Sequence, residues 1–121
     1  NFGLSSGAMA SSVAHDSPNG LAVSAVQALH DDVTLNGSVL ARRLGVSAGK
    51  LARDFKTEMG LSLVEYRNRL RLERFLALVD RGGGNLLQAA LDAGFGSYAQ
   101  FHRVFRSLLG TTPREYLTGR R

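Results

Sequence analysis

Cysteine and tryptophan are both absent from this 121-residue chain. Without cysteine there is no disulfide, no thiolate nucleophile and no cysteine-ligated zinc, and the composition suits a reducing compartment. With six phenylalanines and three tyrosines as the whole aromatic content, the core must be mostly Leu, Val, Ala and Phe. No apolar run is long enough to span a membrane, and the first residues lack the basic start of a signal peptide. Catalytic constellations are missing as well. His15, His30 and His102 fall on separate segments without metal-ligand spacing. Asp31 and Asp32 read as a helix end or turn rather than a paired-carboxylate site. The glycine run at 82–84 is followed by no Lys and Ser/Thr, so it is not a phosphate-binding loop. Neither an enzyme, nor a metal, nor a cofactor is expected.

Charge of one sign is scarce in one part of the chain. Residues 1–35 hold Asp16, Asp31 and Asp32 and no Lys or Arg, whereas residues 36–121 carry 15 basic and 7 acidic residues. Basic charge gathered in this way suggests a polyanionic partner, although a soluble surface that merely happens to be basic would look the same. The length fits one modest domain, or two very small ones sharing a helix.

What the chain does have is a repeat. "LARDFKTEMGLSLVEY" at 51–66 returns as "FHRVFRSLLGTTPREY" at 101–116. Leu51 answers to Phe101, Arg53 to Arg103, Phe55 to Phe105, Gly60 to Gly110, Ser62 to Thr112 and Tyr66 to Tyr116. The apolar anchors, the basic positions, the glycine and the cap all recur, so the chain is read as a duplication.

Residues 1–19 are rich in Gly, Ala and Ser without a sustained period and read as a flexible arm, a linker or a cloning remnant. From 19 to 32, Leu21, Ala25, Val26 and Leu29 form a helical stripe. A short helix over 38–44 ends at Gly45. The next starts at the N-cap Ser47 and turns Leu51, Phe55 and Met59 inward. A longer helix over about 62–81 opens on a Ser62–Glu65 capping box and buries Leu72, Phe75, Leu76 and Val79. After the glycines, an Asn85–Gln88 capping box opens a short helix to Ala93. Ser97 caps another, buried through Phe101, Phe105 and Leu108. Thr112, Pro113 and Glu115 open the last, with proline at the favoured first position. No segment alternates with period two. The expectation is an all-α fold of about seven helices, arranged as a first subdomain at 20–61, a linker helix at 62–81 and a second subdomain at 85–119.

Short helix, glycine turn, second helix is the order of a helix-turn-helix. "VLARRLGVSAGKLARDFK" and "QAALDAGFGSYAQFHRVFR" both follow it. Ala41 and Ala90 sit four residues before the turn glycine, where a small side chain lets two helices approach. Val46 and Phe95 follow it and plug the corner. The copies are 49 residues apart up to the turn and 50 after it, so the second holds one extra turn residue, Gly96. A single tight helical hairpin means little; two in tandem, each with a basic outer face on its second helix, mean more. A linker of about 20 residues spans roughly 30 Å. That is near the ~34 Å separating successive major-groove segments on one face of B-DNA. A monomer carrying both heads has no need of a palindromic site.

These residues resemble the DNA-binding module of the AraC/XylS family of transcription regulators. The resemblance covers about 21–118 and is strongest in "SAGKLARDFKTEMGLSLVEYRNRLRLE" and "ALDAGFGSYAQFHRVFRSLLGTTPREY". It implies two helix-turn-helix subdomains joined by a long linker helix, binding to double-stranded promoter or operator DNA, and contact with RNA polymerase as activator or repressor in the cytoplasm, at the nucleoid. Many members carry an effector-binding domain ahead of this module. Residues 1–20 are too short to be one, so the chain is expected to be either a fragment or one of the small members lacking a sensor. Phe75 departs from the small residue that family members often place there. Repair methyl acceptors that share a related module need a thiolate, which this chain lacks.

The reading helices are expected at about 47–59 and 97–109. Base-reading candidates are Lys50, Arg53, Tyr98, Gln100, His102 and Arg103, because Arg pairs with guanine and Gln with adenine in bidentate fashion. Tyr98 either packs on a thymine methyl or braces the corner, and an exposed histidine such as His102 is most often idle. Phosphate candidates are Lys56 and Arg106, with Ser47, Asn85 and Ser97 as caps whose helix ends also face anions. Arg67, Arg71 and Arg74 lie on another stripe and read as internal ion pairs or solvated charge. The alternative to a sequence-specific regulator is a nucleoid-type DNA-binding or protein-interaction module without sequence preference.

Overall fold

The structure, a computed structural model, describes residues 20–82 and 85–119. Residues 1–19, read above as an arm, and most of the 82–84 glycine run lie outside the described residues. Among the described residues there are seven helices and no strand. They are α1 (Gly20–Asp31), α2 (Gly37–Arg43), α3 (Ala48–Met59), α4 (Leu63–Asp80), α5 (Leu86–Asp92), α6 (Tyr98–Leu109) and α7 (Pro113–Gly119).

The helix ends follow from local hydrogen-bonding chemistry. A helix leaves its first N–H groups unpaired, and a short polar side chain just before it satisfies one of them. Asn36 Oδ1 accepts from Val39 N at 2.9 Å, and Asn85 Oδ1 from Gln88 N at 2.7 Å. Ser47 Oγ accepts from Lys50 N, and Ser97 Oγ from Gln100 N, both at 3.1 Å. Asn36 was not singled out in the sequence, although it stands 49 residues before Asn85. The expected Asn85–Gln88 box is only half formed, because the Gln88 amide donates forward to Asp92 Oδ1 at 2.9 Å. The last box is complete. Glu115 N donates to Thr112 Oγ1 at 3.1 Å, while Glu115 Oε1 accepts from Thr112 N at 3.2 Å. At the other ends, Gly60 and Gly110 take φ of 82° and 74°, the left-handed region that closes a helix without a Cβ clash.

The chain divides into two compact units, one ending at Tyr66 and the other beginning at Arg67. The boundary falls inside α4, whose first turn belongs to the first unit and whose remainder belongs to the second.

In the first unit, α3 packs on both α1 and α2. Leu21, Ala25, Leu29, Leu40, Ala41, Leu51 and Phe55 are buried, and Phe55 meets Tyr66 edge-on at 5.7 Å. His30 Nε2 lies 2.9 Å from the Tyr66 hydroxyl. Two expected core positions are shallower than the periodicity implies. Met59, the last residue of α3 and one turn past the buried Phe55, is 37% exposed, and Val26 is only half-buried.

The second unit is built around aromatic rings. Leu72, Phe75, Ala89, Ala90, Ala93, Phe95, Phe101 and Phe105 form its buried cluster, with Leu76, Val79, Leu108 and Tyr116 partly buried around it. Phe105 meets Tyr116 edge-on at 5.5 Å, the counterpart of Phe55 on Tyr66. Of the three α4 arginines set apart in the sequence, Arg71 is 4% exposed and thus part of the interior. Arg67 is half-buried, its Nε has no hydrogen-bond partner, and desolvation pulls its guanidinium pKa below the usual arginine value.

Candidate nucleic-acid interface

Each unit contains the same corner. In the first, Gly45 N donates to Arg42 O at 3.1 Å and Val46 N to Ala41 O at 3.0 Å. In the second, Gly94 N donates to Leu91 O at 3.0 Å and Phe95 N to Ala90 O at 3.1 Å. Gly45 and Gly94 both have positive φ, at 76° and 110°. Ala41 and Ala90 are buried at the helix crossing, as their small size requires. Phe95 is buried in its corner, whereas Val46 is half-buried in its own. The turn therefore swings the second helix of each pair across the first, with one face of that helix held down by two large residues.

Those anchors are Leu51 and Phe55 on α3, and Phe101 and Phe105 on α6, all completely buried. Residues about half a turn away must face solvent. Lys50, Arg53 and Lys56 are exposed on α3, and Tyr98, Arg103 and Arg106 on α6, while Gln100 and His102 are half-buried. The caps Ser47, Asn85 and Ser97 are exposed too. Both expected reading helices thus carry a cationic outer face over an apolar inner one.

Three of the candidates make contacts that the sequence reading did not anticipate. Lys50 Nζ is 2.7 Å from Asp54 Oδ2, an i, i+4 pair visible as spacing alone. Exposed pairs of this kind contribute only about 0.3–0.5 kcal/mol, so Asp54 tempers the charge of the first face more than it stabilises the fold. The Arg53 guanidinium lies over Gly49: a Cβ added there would stand 3.3 Å from Arg53 Nη1. Gln100 Oε1 accepts from Gly96 N at 2.7 Å, which turns the amide back on the corner. The Tyr98 ring is 5.4 Å from Phe101 and 6.2 Å from His102, so it braces the start of α6 while 37% of it stays exposed.

Charge near the second face is held in place by the neighbouring cap. The Glu115 carboxyl sits below the ordinary glutamate range because it accepts from Thr112 N and from the Thr111 and Thr112 hydroxyls, with a smaller contribution from the Arg106 charge. Among the described residues no group of His, Asp and Glu is placed to hold a metal ion, and no helix is long and apolar enough to cross a membrane.

Two capped helix pairs with matching corners and outward arginines define a tandem helix-turn-helix module. A family model described as a helix-turn-helix domain matches residues 40–119. The chain belongs to that family, the AraC-type helix-turn-helix proteins. It is 31% identical over 91 residues to the HTH-type transcriptional activator RhaS of Escherichia fergusonii, a match covering 75% of this chain and 33% of that protein. It is 33% identical over 79 residues to the transcriptional regulatory protein HptR of Staphylococcus aureus, covering 65% of this chain and 31% of that protein. The HTH-type transcriptional regulator MtrA of Neisseria gonorrhoeae is 31% identical over 71 residues, covering 59% of this chain and 24% of that protein. The chain thus spans a third or less of the length of these relatives. Among solved structures, a protein of unknown function from Listeria innocua matches with a TM-score of 0.70 and 25% identity, over 75% of this chain and 89% of that one.

Proposed function

We propose that this chain is the sequence-specific DNA-binding module of a transcription regulator, with α3 and α6 entering successive major-groove segments of one duplex. The observation that carries this reading is the equivalence of Arg53 and Arg103. Each stands two residues after a buried anchor, Leu51 or Phe101, and each projects outward from the second helix of a capped helix-turn-helix. Arginine at such a position reaches O6 and N7 of guanine with two parallel hydrogen bonds. Tyr98 and His102 flank Arg103 and extend its contact over neighbouring base edges, Tyr98 by packing on a thymine methyl. Lys50 reads bases only after leaving Asp54.

Phosphates are met by Lys56 and Arg106, one turn further along each helix, and by the N-terminal ends of α3, α5 and α6 at Ser47, Asn85 and Ser97. These contacts orient the module and make its affinity fall with salt. The relatives that are named transcriptional activators and regulators support the same role. RNA polymerase is the second partner this reading expects, and an effector-binding domain is expected in the longer proteins of which such modules form part.

Selection of bound duplexes from a random pool tests the proposal. A recovered asymmetric site of about two helical turns is the expected result. Recovery without enrichment, together with uniform footprint protection, would replace it with a non-specific coating role.

A further inference from the structure

The one-residue difference between the two turns changes the work of an equivalent helix position. Lys50 and Gln100 both stand three residues after a serine cap, and both donate their backbone N–H to that serine. Their side chains then diverge. In the first copy the turn has no extra residue, and Lys50 reaches forward to Asp54. In the second copy Gly96 is inserted before the cap, and its N–H is taken up by Gln100 Oε1 at 2.7 Å.

Ser97-x-x-Gln100 is the sequence form of a capping box, in which the glutamine ordinarily reaches back to the N–H of the cap residue itself. Here it reaches one residue further, to the inserted one. Gly96 leaves room for this approach, since a Cβ there would stand 3.3 Å from Gln100 Oε1. Gly96, Ser97 and Gln100 thereby close a small ring of two hydrogen bonds around the first turn of α6. Tyr98 lies within that ring, and His102 and Arg103 follow directly on the same helix.

We infer that Gln100 is a positioning residue rather than a base reader: its amide locks the inserted turn residue to α6 and so sets how Tyr98, His102 and Arg103 are presented together. This rests on the DNA-reading role proposed above for α6. A glutamine that reads adenine uses both its carbonyl and its NH2 group on the base edge. With the carbonyl oxygen held by Gly96, that bidentate pair requires the clamp to open.

Two variants of the full chain separate the roles. Gln100→Glu keeps an oxygen that can accept from Gly96 N but has no donor for adenine N7. Gln100→Ala removes the clamp. Base preference is measured by selection from a random duplex pool, and amide hydrogen exchange is read at Gly96 by NMR without DNA. Gln100→Glu is expected to keep the wild-type order of preferences at every position, with a uniform affinity loss from its negative charge. Gln100→Ala is expected to speed Gly96 exchange and to lower affinity for the preferred site roughly two- to tenfold, flattening preference at several adjacent base pairs at once. A change confined to one base pair in both variants would make Gln100 a base reader and overturn the inference. Unchanged Gly96 exchange in Gln100→Ala would overturn it as well, whatever the DNA result. If the wild-type chain selects no sequence while the exchange result holds, the clamp stands and the DNA-reading proposal fails instead.

Discussion

The ring of Phe75 lies 4.4 Å, centroid to centroid, from the ring of Phe101. Phe75 belongs to the central helix α4 and Phe101 to the proposed reading helix α6, and neither side chain is exposed to solvent. Phe105 completes the group, with its ring edge-on to Phe75 at 6.1 Å. The cationic face of α6 is therefore backed by tilted and edge-on aromatic rings, which resist rotation of the helix about its own axis. Phe75→Ala should destabilise the second unit by about 3–5 kcal/mol, the usual cost of emptying a packed phenylalanine site. Urea unfolding followed at Tyr116 would show it, and a change below about 1 kcal/mol would mean that the rings do not hold the helix.

Arg53→Ala and Arg103→Ala should each weaken binding to the selected site by about 1–3 kcal/mol while leaving non-specific binding nearly intact. Both residues are exposed, so thermal unfolding should stay close to wild type. Competition titrations with specific and random duplexes distinguish the roles. Equal losses on both would make that arginine a phosphate contact. Lys56→Ala and Arg106→Ala are expected to give such equal losses and a shallower salt dependence.

Gly45→Ala isolates the cost of the corner. A Cβ at this position meets nothing within 4 Å, yet φ is 76°, so the penalty is purely conformational. It should be about 1–2 kcal/mol, and Gly45→Asn should recover part of it because asparagine tolerates the left-handed region better. Denaturation midpoints of the two variants compared at one pH provide the check.

The helix caps make a separate prediction. Asn36→Ala removes the acceptor for Val39 N and should cost about 0.5–2 kcal/mol in chemical denaturation. Asn36→Ser should cost much less, because serine supplies an oxygen of similar reach.

Acid weakens the last cap in a defined direction. Hydrogen bonds from Thr112 N and from the hydroxyls of Thr111 and Thr112 hold the folded Glu115 pKa below its unfolded value. Its contribution to stability is thus complete above the ordinary glutamate range and disappears as pH falls through the depressed folded value. A carboxyl NMR titration should place the Glu115 midpoint below that of an unstructured glutamate, and Thr112→Ala should move it upward.

The duplication, the turn glycines and every helix start but the Asn36 cap of α2 could be read before any coordinates. They depend on local chemistry: an oxygen three residues ahead of an N–H, a residue without Cβ where φ must be positive, an apolar residue every three or four positions. The candidate face was readable for the same reason, since burying Leu51 and Phe55 forces Arg53 outward, and burying Phe101 and Phe105 does the same for Arg103. Met59 escaped this logic because periodicity carries no information about where the core ends. The missed Ser97–Gln100 pairing had a sequence signal in S-x-x-Q. The one-residue insertion changed its target from the cap N–H to Gly96 N, and spacing alone did not reveal that change.

Helical class, repeat and charge placement were set by the order of side chains along the chain, because each reflects interactions within a turn or two of helix. Tertiary structure decided which of the outlying arginines keep their outer positions and which are drawn inward. Arg71 is buried, while Arg53 and Arg103 remain outside. The physical reason is that a long polar side chain has many rotamers of similar energy in isolation. Only the packed neighbours around it, at distances the linear order does not specify, select one.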